Sequence, residues 1–427
     1  MILLALVLLL VFMALAVPVA ASLGVLGLAL EQIYSPLPLV RAIGEVTWSA
    51  STEFLLVSVP LFILLGEILL RAGFAERMYA TLVHWVSWLP GGLMHSNIAA
   101  CAMFAATSGS SVATAATVGT VALPESRRFG YNERLFLGTL AAGGTLGILI
   151  PPSINIIIYA VLTNSSVPQL YLAGIVPGIA LVLIFMATIV VICMVRPAWG
   201  GHAVRTNWRQ RIVGLVHLLP PLGIFMLVVG SIYAGVATPT EAASLGVLGA
   251  LALAAMAGRL SLAMLREAFE GTMRSTAMLM LIVMAAYFLN FVISVIGLTT
   301  MLTDFIQGLG LPKAAMLLAV GVFYVAPGCF LETPSMMITT IPIIAPVMFA
   351  LGFDPVWFGI LVILLIETAL VTPPVGINLF VVQNLRARGS MNDVIIGTAP
   401  FVLALFAMIL LICMVPDIAL WLPRQFQ

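Results

Sequence analysis

Charged residues are scarce in this chain: only 8% of its 427 residues are Asp, Glu, Lys or Arg, whereas 63% are hydrophobic. Water-soluble domains are about half apolar and about a quarter charged, so the composition excludes a water-soluble enzyme. The 17 basic and 16 acidic residues leave a net charge of +1, which excludes the polyanion-binding surface of a nucleic-acid-binding protein. The mean hydropathy of +1.21 predicts a polytopic membrane protein in contact with lipid, with spans of ~20 residues.

Cysteine and histidine are also rare, with four residues of each type. The cysteines lie far apart within apolar segments, and no two histidines have the spacing of an HExxH site. We therefore expect no structural disulfide, no cofactor and no resident metal centre.

Nine hydrophobic runs have the length of a membrane span. They cover approximately residues 2–30, 53–71, 134–163, 172–195, 213–235, 241–258, 275–296, 355–384 and 394–421. The first run lacks the basic start of a signal peptide, so we interpret it as the first transmembrane helix. Two further apolar stretches, 92–123 and 314–349, are each interrupted in the middle.

The arginines indicate which side of the membrane each loop occupies. The segment 196–211 contains Arg196, Arg205, Arg209 and Arg211 and no acid, and short basic loops of this kind remain in the cytoplasm. With that loop inside, 14 of the 17 basic residues are cytoplasmic, the N-terminus is cytoplasmic and the C-terminus is outside. This count is consistent only if residues 92–123 and 314–349 are re-entrant hairpins, the first entering from the cytoplasm and the second from the outside.

The chain also resembles itself at an offset of 222 residues. This offset aligns Pro151-Pro152 with Pro373-Pro374 and, after one inserted residue, Asn155 with Asn378. The two copies have opposite orientations in the predicted topology, and inverted repeats with interrupted helices are typical of secondary transporters. We therefore predict an all-α polytopic membrane protein with an inverted repeat, two re-entrant helical hairpins and two broken transmembrane helices.

This interpretation divides the chain into four units. Residues 1–71 are N-terminal scaffold helices, and residues 72–195 form the first repeat, with an interfacial helix, a hairpin, a broken helix and a further helix. Residues 196–274 comprise the basic cytoplasmic loop and linking scaffold helices. Residues 275–427 form the second, inverted repeat.

The hairpin tips and the helix breaks are the candidate ion sites. Irregular backbone is tolerated in a membrane only where it is buried in protein or lines a cavity. A double proline removes two N–H donors, and the carbonyl groups left without partners are suitable ligands for Na⁺. We expect a first Na⁺ site from Ser108, Ser110, Gly147, Ile150 and Pro152. We expect a second from Gly328, Thr333, Ala369, Thr372 and Val375.

The substrate is expected between the two tips, where the N-termini of the half-helices present positive dipole ends to an anion. Asn155 and Asn378 offer amide groups, and Thr114 lies one turn beyond the first tip. Glu332 is an ionisable group within the second tip, and such groups in a membrane are functional candidates. Packing by small residues is the alternative for the serine tip, and a solvated position is the alternative for Glu332.

Several motifs together resemble the large membrane (M) subunit of tripartite ATP-independent periplasmic (TRAP) transporters. They are Ser108–Thr114, Gly147–Ser153, Thr238–Ala242, Glu332–Ser335 and Thr372–Asn378. The resemblance implies an elevator-type transporter, similar in fold to the ion-transporter superfamily, for Na⁺-coupled uptake across the bacterial inner membrane. It also implies a small four-helix membrane subunit, a periplasmic binding protein and a C4-dicarboxylate, sialic acid or related carboxylate as substrate.

Three other functions are compatible with parts of the pattern. A stand-alone Na⁺/anion transporter would share the inverted repeat but would need no binding protein. An intramembrane enzyme would need Ser108 or Ser110 as nucleophile beside His95 as base. A channel would need a continuous pore rather than two hairpins entering from opposite sides. The transporter interpretation accounts for more of the chain than the enzyme or the channel interpretation.

Overall fold

The computed structural model describes residues 1–202, 206–386 and 388–426, and this part of the chain contains helices and no β-strand. Arg205, one of the arginines of the predicted cytoplasmic loop, lies outside the described residues. Among the described residues, six helices are long and apolar enough to cross a membrane, or eight if each of two bent pairs is counted as one span. The all-α polytopic fold is confirmed.

The N-terminal unit contains four helices: α1 (Ile2–Ala14), α2 (Val19–Tyr34), α3 (Ile43–Ser51) and α4 (Ser58–Arg71). The prediction of one continuous helix through the first hydrophobic run is wrong. Ala16 adopts a left-handed conformation with φ 53°, and Pro18 has no N–H group to continue the hydrogen-bonding pattern. The chain therefore begins a new helix at Val19.

The next six helices correspond to the first repeat. They are α5 (Phe74–Val86), α6 (Leu93–Ser108), α7 (Ser111–Arg128), α8 (Glu133–Leu149), α9 (Ile154–Thr163) and α10 (Val167–Val195). Helices α6 and α7 form the first hairpin, which reverses at Gly109 with φ 61°, a conformation that favours glycine. Helices α8 and α9 form the first broken helix and differ in direction by 42°.

Four helices link the repeats: α11 (Trp208–Gly214), α12 (Leu219–Tyr233), α13 (Pro239–Met256) and α14 (Leu262–Val295). Thr238 and Glu241 form a capping box at the start of α13, which explains this acid without a functional role. Helix α14 has 34 residues and is longer than the predicted run 275–296. Arg266 and Arg274 therefore lie on a helix rather than in a loop.

The C-terminal part begins with six helices in the same order as α5–α10 and ends with one that has no counterpart among them. Its helices are α15 (Leu298–Gly308), α16 (Lys313–Gly328), α17 (Thr333–Ala350), α18 (Pro355–Leu370), α19 (Ile377–Asn384), α20 (Met391–Met414) and α21 (Asp417–Gln425). The last hydrophobic run is divided after Met414, because Pro416 precedes a separate short helix. The opposite membrane orientation of the two copies stays a prediction.

Two groups of helices meet around the tips. Helices α2, α3 and α4 pack on α14 and form a scaffold, whereas α8 packs against α6, α7 and α20. Helices α8 and α20 approach closely at Gly138 and Gly397, where a Cβ atom on either glycine would overlap the backbone of the other helix. This crossing joins a helix of the first copy to a helix of the second.

Candidate functional site

A cavity of about 270 Å³ lies where both hairpin tips meet the scaffold. Five of the predicted site residues line it: Ser108, Ser110, Asn155, Glu332 and Thr333. Two come from the first tip, two from the second tip and one from the start of α9. The structure therefore brings together residues that are more than 200 positions apart in the sequence.

The scaffold forms the opposite wall of this cavity, through residues of α4 and α14 that include Glu67 and Ser275. Helix α4 packs directly on the first tip at Gly66, where a Cβ atom would lie 3.2 Å from the Cα atom of Ser108. The cavity is thus formed between two groups of helices rather than within one of them.

Glu67 is an acidic residue within the apolar helix α4. Its carboxylate forms an ion pair with Arg71, one turn later on α4. The Nε atom of Arg71 also lies 3.5 Å from the carboxylate of Glu267 on α14. The i, i+4 spacing of Glu67 and Arg71 is typical of such pairs and was a signal available in the sequence.

The first tip contacts both sides of the first helix break. A Cβ atom on Gly147 would lie 2.7 Å from the carbonyl oxygen of Ser110. On the other side of the break, a Cβ atom on Gly109 would lie 3.0 Å from the carbonyl oxygen of Pro152. Ile150 lies between these contacts and packs against Gly178 of α10. Residues predicted for the first Na⁺ site are therefore close together, although several do not line the cavity.

Thr114 lies behind the first tip and is fully buried. Its hydroxyl donates a hydrogen bond of 2.7 Å to the carbonyl oxygen of Ser110 and lies 3.0 Å from the hydroxyl of Ser108. Thr114 is not among the residues that line the cavity. Its hydroxyl fixes the shape of the tip in this structure.

The second tip contacts the second break in a different way. The N–H of Gly376 donates a 2.9 Å hydrogen bond to the carbonyl oxygen of Cys329, and the thiol of Cys329 lies 3.6 Å from the carbonyl oxygen of Pro373. A Cβ atom on Gly328 would lie 2.6 Å from the Cβ atom of Ala369. Sequence reasoning missed Cys329, because it considered the cysteines only as candidates for a disulfide or a metal site.

The remaining residues of the predicted second Na⁺ site lie in or beside the same break. The hydroxyl of Thr372 donates a 2.6 Å hydrogen bond to the carbonyl oxygen of Thr368, and Val375 is half-buried. Thr333 is buried at the start of α17. Glu332 accepts a 3.0 Å hydrogen bond from the hydroxyl of Ser335, which holds its carboxylate beside the cavity.

The two asparagines aligned by the repeat have different surroundings. Both are buried, and in the described part of the chain neither side-chain carbonyl oxygen has a hydrogen-bond partner. Asn155 lines the cavity, whereas Asn378 donates a 3.2 Å hydrogen bond to the carbonyl oxygen of Ala141 on α8. Unpaired buried acceptors are costly, so the side chain of Asn155, which lines the cavity, is suited to a ligand that brings a positive charge or a donor.

His95 does not form a nucleophile–base pair with Ser108. His95 lies near the start of α6 and Ser108 at its end, about 20 Å apart at 1.5 Å per residue. The Nε2 atom of His95 lies 2.8 Å from the carbonyl oxygen of Pro90. This histidine therefore does not serve as a base for either tip serine.

Comparisons with known proteins agree with this architecture. Residues 6–418 match the family described as "Tripartite ATP-independent periplasmic transporter, DctM component". The chain is 30% identical to the C4-dicarboxylate TRAP transporter large permease protein DctM of Vibrio cholerae, over 96% of this chain and 95% of that protein. It is 33% identical to the ectoine/5-hydroxyectoine TRAP transporter large permease protein UehC of Ruegeria pomeroyi, over 86% and 85%.

A solved structure shares the fold at low sequence identity. The crystal structure of the Alcanivorax borkumensis YdaH transporter matches with a TM-score of 0.67 and 16% identity, covering 99% of this chain and 98% of that one. The family match, which extends over most of the chain, decides the assignment. The chain belongs to the DctM family of TRAP transporters, as a large permease component.

Proposed function

We propose that this large permease carries out Na⁺-coupled uptake of a small organic acid across the bacterial inner membrane by an elevator mechanism. One observation carries the proposal: both hairpin tips meet in a single cavity whose opposite wall is the scaffold. A substrate held at the tips would be released or captured when the tips move relative to that wall.

The position of the cavity supports one state of such a cycle. Its scaffold wall includes Glu67 and Ser275, and each is close in sequence to an arginine, Arg71 or Arg274, that the charge pattern places on the cytoplasmic side. In the proposed topology, with the N-terminus cytoplasmic and the C-terminus periplasmic, the cavity therefore corresponds to an inward-facing state.

Na⁺ would bind where each tip contacts its break. The first site would use Ser108, Ser110 and the backbone around Gly147, Ile150 and Pro152. The second would use Gly328, Thr333, Ala369, Thr372 and Val375. Close backbone contacts and buried hydroxyl groups at both places support neutral oxygen coordination of a dehydrated cation. Transport would then need Na⁺ and no cofactor.

The substrate would occupy the cavity between the tips, with Asn155 and Glu332 as contacts. Thr114 would act through the shape of the first tip, and Asn378 through its contact with α8. A carboxylate fits the positive dipole ends of the half-helix N-termini, and C4-dicarboxylates, sialic acids and related organic acids are the proposed range. The names of the relatives, for C4-dicarboxylate and for ectoine, support that breadth.

We further propose two protein partners, a small four-helix membrane subunit and a periplasmic substrate-binding protein. The test is uptake into proteoliposomes that contain this chain and its small subunit, with an inward Na⁺ gradient and a panel of carboxylates. Uptake that requires both Na⁺ and the binding protein is the expected result. Uptake without the binding protein would favour a stand-alone anion transporter, and uptake without Na⁺ would contradict both ion sites.

A further inference from the structure

A second cavity, of about 410 Å³, lies away from the transport cavity, between α5 and the elbow, which is the segment Trp208–His217 formed by α11 and the turn that follows it. Its walls carry two guanidinium groups and two imidazole rings, from Arg77, His84, Arg209 and His217, and no acidic residue of the described chain lines it. Within that same part of the chain, neither Arg77 nor Arg209 forms an ion pair. We call this cavity the basic pocket.

Contacts between α5 and α11 fix the frame of the basic pocket, and Arg77, Arg209 and His217 extend from exposed positions on that frame. The hydroxyl of Thr81 on α5 lies 3.1 Å from the carbonyl oxygen of Gly214 on α11. The indole N–H of Trp85 donates a 3.1 Å hydrogen bond to the carbonyl oxygen of Arg211. The Nδ1 atom of His84 is shielded from solvent and has no partner in the described chain. His84 lines the pocket, and a shielded ring nitrogen of this kind requires a hydrogen-bond partner, such as water or a bound ligand.

An exposed apolar stripe lies beside the basic pocket. Trp208, Ile212 and Val216 are spaced four residues apart and are 66%, 61% and 61% exposed. The elbow that carries them is bent by 42° from α12. A segment that leaves a membrane span, with an apolar outer face and arginines on the next face, is suited to the interface between headgroups and acyl chains.

We propose that the basic pocket binds the phosphate group of an anionic phospholipid, whose acyl chains lie along Trp208, Ile212 and Val216. Guanidinium groups match phosphate oxygens through paired N–H donors, and basic pockets between membrane helices bind anionic headgroups. A soluble phosphate compound would use the same arginines but would leave the stripe uncovered. The combination of pocket and stripe therefore favours a lipid of the cytoplasmic leaflet.

The test measures lipid binding to the purified complex of this chain with its small subunit, by native mass spectrometry after exchange into phosphatidylglycerol or phosphatidylcholine. We expect phosphatidylglycerol to be retained and the double variant Arg77→Gln with Arg209→Gln to lose it by about tenfold or more. The control, Arg259→Gln with Arg388→Gln, removes the same charge from exposed residues outside the pocket and should retain it. Equal loss in both double variants would overturn the proposal.

A second arm distinguishes the lipid from free phosphate. The Ile212→Ser and Val216→Ser substitutions keep the pocket arginines but weaken the apolar stripe, and they should lower retention of phosphatidylglycerol. Inorganic phosphate at millimolar concentration should not displace the lipid. If phosphate displaces it and the stripe substitutions have no effect, the pocket is a site for a soluble anion. Thermal unfolding of each variant confirms that the complex is intact.

Discussion

The two tip–break contacts are similarly close, but they differ at one pair of aligned positions in the breaks. In the first copy, Gly147 of the break faces the backbone of Ser110. At the offset of 222 residues, Gly147 aligns with Ala369, and in the second copy Ala369 faces a glycine of the tip, Gly328. The two copies therefore form similar contacts with different residues. The role of a residue in one copy cannot be assigned to the aligned residue of the other.

The surroundings of the two breaks differ as well. Pro151 and Pro152 are buried, whereas Pro373 and Pro374 are exposed and line an apolar groove of about 1120 Å³. The first break lies under α10, where a Cβ atom on Gly174 would be 2.8 Å from the carbonyl oxygen of Leu149. The first contact is thus fixed by packing on several sides, and the second has space beside it. Substitutions should be tolerated less well in the first copy.

The largest effect is expected for Gly147→Ala. The new Cβ atom would meet the main chain of Ser110 and Ser111, which cannot move without distorting the tip, and overpacking of this kind costs about 1–3 kcal/mol. We expect Na⁺-driven uptake to fall by about tenfold or more. Ala369→Gly, at the aligned position, is the matched control and should keep most of the activity. Equal uptake by the two variants would contradict the proposal that the first contact tolerates substitution less well than the second.

A smaller effect is expected for Gly328→Ala, because its new Cβ atom would meet side chains, those of Ala369 and Met336. The sulfur end of Met336 is adaptable, so the main obstacle is the Cβ atom of Ala369. Adding Ala369→Gly should therefore restore uptake to Gly328→Ala, which a double-mutant cycle would record as a coupling. Strictly additive losses would show that the two positions do not share one contact.

Much of this site follows from sequence because clusters of Gly, Ser and Pro interrupt helices, whereas single prolines such as Pro177 and Pro400 lie inside helices of this structure. The tips at Gly109 and Glu332 and the double-proline breaks were predictable for that reason. The partner of Glu67 and the division at Pro18 were also readable, since each depends on a local rule. The position of the thiol of Cys329 was not, because it depends on how a distant break packs against the tip.

Na⁺ dependence provides a finer comparison of the two proposed ion sites. Ser108→Ala removes a hydroxyl that contacts Thr114 within the first tip, and Thr372→Ala removes one at the second break. Each should raise the Na⁺ concentration needed for half-maximal uptake by several-fold, since a neutral hydrogen-bonding group contributes about 0.5–1.5 kcal/mol. Thr372→Ser, which keeps the hydroxyl, is the control. Unchanged Na⁺ activation in both alanine variants would refute the site assignment.

The smallest effect is expected at Cys329, where the thiol is a weak donor to the carbonyl oxygens of Val325 and Pro373. Cys329→Ser keeps a donor of similar size and should leave Na⁺ activation of uptake nearly unchanged. Cys329→Ala removes the donor and should raise the half-maximal Na⁺ concentration by about twofold, less than one kcal/mol. Cys101→Ala is the control for loss of a buried thiol, because Cys101 lies beside Gly143 of α8 in the first copy. If Cys329→Ala impaired uptake as strongly as Gly147→Ala, the second tip–break contact would be as rigid as the first. The two copies would then differ in sequence but not in how firmly each tip is held.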